Sequence, residues 1–101
     1  MIKLATLLLG LLTFAAQAHF PLLNCQLTAQ QQQLSCVAGY SDGSLAGKVT
    51  LNVFNYDEEP LLSINTASDG SITFTPPKGE YYIVFDPGHE SPAEFDYAEL
   101  N

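Results

Sequence analysis

The two histidines of the chain, His19 and His89, are the residues best placed to do chemistry. Residues 1–18 have the make-up of a secretory signal peptide. Lys3 gives the positive start, Leu4–Phe14 the apolar stretch, and Ala16-Gln17-Ala18 the small-x-small site that signal peptidase cuts after. Cleavage there makes His19 the first residue of the exported protein, with a free α-amine and an imidazole on one residue. Those two nitrogens can close a chelate ring on a transition metal, and imidazole suits zinc, copper and nickel. His89 lies in the turn-like segment Asp86-Pro87-Gly88-His89-Glu90 and offers a third nitrogen wherever the fold brings it to the N-terminus. Asp86 or Glu90 would add an oxygen and offset charge. Three nitrogens in a plane suit Cu(II) or Ni(II), whereas a tetrahedral set with a carboxylate suits zinc.

The expected site is thus one divalent transition metal (nickel, cobalt, copper or zinc) on His19, His89, Asp86 and Glu90. Taken singly, a histidine after a cleavage site and a histidine in a turn are ordinary. It is their joint occurrence, as the only two histidines, that points to a metal. A cut two residues earlier would leave Gln17-Ala18-His19, a third-position histidine chelate, but Phe14 is a poor residue three before that cut.

No catalytic constellation accompanies the histidines, and an enzyme is not expected. There is no Gly-x-Ser-x-Gly, no His-Glu-x-x-His and no arginine at all to clamp a phosphate or carboxylate. Paired acids such as Glu58, Glu59, Glu90 and Glu94 would need a cleft between them to act as a glycosidase, and a chain this small without tryptophan is a poor candidate.

Positioning the histidines falls to a small framework. Residues 19–101 suffice for one domain, and at that size the core is marginal. The one apolar run is too short and wrongly flanked to span a bilayer, so a periplasmic or secreted protein is expected rather than an integral membrane one. Leu22-Leu23-Asn24-Cys25 is no lipoprotein signal, because Pro21 and Asn24 separate Cys25 from the apolar run. Without Lys3, two lysines face 11 acidic residues, a side-chain net charge of −9. Such a surface repels nucleic acid and anionic membranes and tolerates cations or basic partners.

Two cysteines in an exported chain point to a disulfide. A hairpin turning at Gln30-Gln31 pairs each residue i with 61 − i, which sets Cys25 opposite Cys36. Further strands are expected at Lys48–Phe54, where Val49, Leu51 and Val53 alternate with polar residues, and at Leu61–Thr66, Ser71–Thr75, Tyr81–Phe85 and Ala93–Ala98. With Leu22–Thr28 and Gln33–Gly39 these make seven short strands divided by turns such as Ser41-Asp42-Gly43-Ser44 and Ser68-Asp69-Gly70. The pattern is that of an all-β, antiparallel β-sandwich without helices. Tyr81–Phe85, apolar on both faces, reads as a central strand. Tyr81 is read as packing, while Tyr82 and Tyr97 are open to a role in binding.

Three stretches together resemble a carboxypeptidase regulatory-like domain of transthyretin type. They are Ala46-Gly47-Lys48-Val49-Thr50-Leu51-Asn52-Val53, Ser68-Asp69-Gly70-Ser71-Ile72-Thr73-Phe74 and Gly79-Glu80-Tyr81-Tyr82-Ile83-Val84. That resemblance implies an Ig- or transthyretin-like sandwich. His19, Tyr40-Ser41-Asp42-Gly43 and Val84-Phe85-Asp86-Pro87-Gly88-His89 also resemble small extracytoplasmic accessory proteins of nickel and cobalt uptake. This second resemblance implies a metal-delivery role with a membrane transporter or envelope protein as partner. The alternatives are a periplasmic interaction module that docks on the cell envelope without metal and, more remotely, a carbohydrate-binding module. Oligomeric state is not legible in the sequence.

Overall fold

Apolar residues at every second position can all reach one core only if the chain is extended, and that pattern recurs down the sequence. The computed structural model describes residues 19–100; the expected signal peptide (1–18) and Asn101 lie outside the described residues. Seven strands result: β1 (Pro21–Leu27), β2 (Leu34–Tyr40), β3 (Thr50–Asn55), β4 (Pro60–Asn65), β5 (Ser71–Phe74), β6 (Tyr81–Phe85) and β7 (Ala93–Asp96). They form two antiparallel sheets, one ordered β1-β2-β5 and the other β4-β3-β6-β7. The sheets face each other as a β-sandwich.

The core is what the alternation places between them. Leu23, Leu34, Cys36 and Ala38 come from the first sheet, and Leu51, Val53, Tyr81, Ile83, Phe85 and Phe95 from the second. Each large apolar side chain taken out of water contributes roughly 1.5–3 kcal/mol. One cross-link adds to this. Cys25 and Cys36 are directly paired between β1 and β2 and form a disulfide. The register of that hairpin is the expected one, from Pro21 opposite Tyr40 to Leu27 opposite Leu34.

Beyond one-residue shifts at the ends of several strands, three details depart from the sequence reading. β7 stops at Asp96 instead of running to Ala98, and Tyr97–Leu100 form a 3-10 turn. Asp96 caps that turn: its Oδ1 accepts the Ala98 N–H, and its own N–H is donated to Glu99 Oε2. β3 starts at Thr50 and not at Lys48. The buried Thr66 takes over the preceding contacts, accepting the Val49 N–H at 2.9 Å and donating its hydroxyl to Gly47 O at 2.8 Å. Finally, β6 is central in its sheet, but Tyr82 and Val84 on its outer face are only half-buried.

Gly70 locks the crossover between the sheets. Its carbonyl accepts the Ala38 N–H at 2.9 Å, and its φ is +82°. A Cβ there would lie 2.4 Å from Ala38 O, so only glycine permits β2 to close onto this turn.

Candidate functional site

The β1–β2 ladder continues beyond its last strand pair, Pro21 with Tyr40. Phe20 N–H donates to Ser41 Oγ at 3.0 Å, and Ser41 N–H donates to Phe20 O at 2.9 Å. One residue further, His19 faces Asp42, with Nε2 3.5 Å from Oδ2. The imidazole is stacked on the Tyr40 ring, centroids 4.5 Å apart and planes 19° apart. Tyr40 in turn meets Phe85 of the core edge-on at 5.9 Å. The start of the described chain is therefore fastened to one end of the sandwich by backbone, ring and charge contacts.

Asp42 is itself fixed. Its Oδ1 accepts both the N–H and the hydroxyl of Ser44, at 2.9 and 2.6 Å, in a turn that Gly43 closes with a φ of +90°. Those two hydrogen bonds, with a smaller contribution from His19, hold the Asp42 carboxyl below the usual aspartate range. Oδ2 is left facing the imidazole.

His89, Asp86 and Glu90 lie in the exposed loop between β6 and β7. One oxygen of Asp86 accepts the Gly88 N–H at 2.8 Å, which closes the loop's first turn. The loop leaves β6 at Phe85, the residue that touches Tyr40, and so begins at the same end of the sandwich as His19. Among the described residues, no group of three or more histidine, cysteine or acidic side chains gathers as a metal site. The close pair is His19 with Asp42.

The chain matches no family model, no curated protein and no solved structure.

Asp42, which the sequence reading treats only as a turn residue, is the carboxylate that faces His19. Its signal was present: 19 and 42 sum to the same 61 that pairs Cys25 with Cys36, so the hairpin register already sets Asp42 opposite His19.

The tyrosines divide between core and surface. Tyr81 is buried, its hydroxyl without a hydrogen-bond partner among the described residues, and burial raises its pKa. Tyr97 is exposed and meets Tyr81 edge-on. Tyr82 lies on the outer face of the four-stranded sheet, stacked on Phe54 at 5.3 Å. Tyr56, from the β3–β4 turn, donates its hydroxyl to Asp96 of β7. That bond pushes Tyr56 up to about 12 and holds Asp96 down.

Proposed function

We propose that the exported chain is a non-enzymatic, extracytoplasmic metal-binding protein that takes nickel, cobalt, copper or zinc on the α-amine and imidazole of His19 and delivers it to an uptake system. The observation that supports this most strongly is Asp42 at Nε2 of His19. A chelate closed through Cα, Cβ and Cγ uses Nδ1, leaving Nε2 outward. A metal-bound histidine almost always gives its second ring nitrogen to a carboxylate or carbonyl, which fixes the ring and strengthens the ligand. Asp42 occupies that position, ionised and clamped by Ser44.

Stacking on Tyr40 removes rotational freedom that a free N-terminal residue would otherwise lose on binding. His89 is the candidate to complete the ligand set from the β6–β7 loop, with Asp86 or Glu90 supplying an oxygen. The resemblance to nickel and cobalt accessory proteins favours the same role.

Titration calorimetry with Ni(II), Co(II), Cu(II) and Zn(II) tests this on two forms, one beginning at His19 and one with a glycine added before it. The added residue moves the amine out of the chelate. One metal per chain, weakened at least about tenfold by the extension, is the expected result. Equal affinity in both forms would remove the amine from the site and the proposal with it.

A further inference from the structure

A second concave site lies on the outer face of the four-stranded sheet, away from His19. It is a shallow, open concavity of about 520 Å³ lined by Tyr56, Asp57, Glu58, Tyr82, Glu94 and Asp96. Its floor follows from the register. Phe54, Tyr82 and Asp96 stand in one row across β3, β6 and β7, with Glu94 one row along. Its wall is the β3–β4 turn, which is tied down at several points. Asn55 Oδ1 accepts the N–H groups of Asp57 and Glu59, its amide donates to Glu59 Oε1, and Tyr56 reaches over to bond Asp96.

Two tyrosine rings are thus held in place beside carboxylates that no lysine among the described residues pairs with. The only ion pair among the described residues is His19–Asp42, and neither Lys48 nor Lys78 takes part in one. Desolvation against the sheet raises the Tyr82 pKa, and the nearby carboxylates of Glu58 and Glu94 add to it. The acids ring the cleft without converging, and no trio of them among the described residues could hold a metal ion. Aromatic faces beside dispersed negative charge suit an extended organic cation with an apolar stem, such as a lysine or arginine side chain.

We propose that this cleft docks a lysine- or arginine-bearing segment of a partner protein, with the alkyl stem on Tyr56 and Tyr82 and the cationic head among Asp57, Glu58 and Glu94. The net charge of −9 left after residues 1–18 steers such a segment toward the molecule, and the cleft gives it a seat. This site is independent of metal binding at His19.

The test is a backbone amide NMR titration of the exported, disulfide-bonded chain with pentalysine and with pentaarginine. The expected result is saturable shifts confined to residues 54–58, 82 and 94–96. Affinity should fall about two- to fivefold in Tyr82→Leu and again in Glu94→Gln, both with native spectra elsewhere. Glu94→Gln keeps the shape of the side chain, so it reports even where Tyr82→Leu disturbs the sheet. Shifts spread over the whole acidic surface without saturation would overturn the proposal. So would affinity unchanged in Glu94→Gln, or self-association of the free chain through these residues.

Discussion

His19 and Asp42 face each other one residue pair beyond the end of the hydrogen-bonded β1–β2 hairpin, with Nε2 3.5 Å from Oδ2. The hairpin that carries the disulfide also positions the carboxylate beside the imidazole.

In the proposed metal site, that pairing would make Asp42 a positioning residue for the chelate. Asp42→Asn keeps the size of the side chain and its turn but removes the charge from Nε2. Metal affinity should drop about 10-fold or more, the range seen when such supporting groups are lost, while the urea midpoint stays close to that of the parent. His19→Ala should abolish the high-affinity site. An Asp42→Asn protein that binds as tightly as the parent would show that the carboxylate does not support the ligand.

The two glycines Gly43 and Gly70 separate conformational strain from steric clash. Both have left-handed φ, but a Cβ on Gly43 meets nothing within 4 Å, while one on Gly70 meets Ala38 O at 2.4 Å. Gly43→Ala should cost about 1–2 kcal/mol in urea unfolding. Gly70→Ala carries the same strain, and the clash as well, and should cost clearly more. Equal costs would mean that β2 shifts freely to make room.

Tyr56 confers a stability that fails in alkali. Its pKa is raised to about 12 in the fold by the bond to Asp96, against about 10 in an unfolded chain. The stabilisation is therefore complete below pH about 10 and lost as pH rises toward 12. Tyr81 and Tyr82 are raised too and act in the same direction. Thermal melts of the parent and of Tyr56→Phe isolate the part that belongs to Tyr56. The variant should decline less across that interval, and parallel declines would show that the bond does not persist in solution.

Reduction of Cys25–Cys36 opens a covalent loop of short span, the two cysteines being 11 residues apart in sequence. The expected loss is about 2–3 kcal/mol. Because this is a large share of the stability of so small a domain, the Cys25→Ser, Cys36→Ser double variant should unfold at a markedly lower urea concentration.

Much of the framework was legible because simple periodicities fix it. Val49, Leu51 and Val53 show the period of a strand with one buried face, and the sum of 61 fixes a whole hairpin together with its disulfide. What escaped depended on side chains acting at a distance or at an element's end. β7 ends early because Asp96 caps a 3-10 turn, a competition that periodicity does not register. The cleft needs Tyr56 and Asp96, 40 residues apart, to meet across the sheet. The partnership of His19 with Asp42 lay within reach of the register, but the Asp-Gly-Ser segment reads first as a turn. The β6–β7 loop leaves His89 exposed and outside any group of three ligand side chains among the described residues, a loop conformation that no local pattern encodes.

The proposed metal site requires an exported protein that begins at His19 and binds one metal there. Native mass spectrometry of the chain processed from its own residues 1–18, with and without Ni(II) or Cu(II), tests it most directly. The expected result is a mass beginning at His19 and a single metal adduct that disappears in His19→Ala. A different N-terminus, or no adduct at micromolar metal, would contradict it.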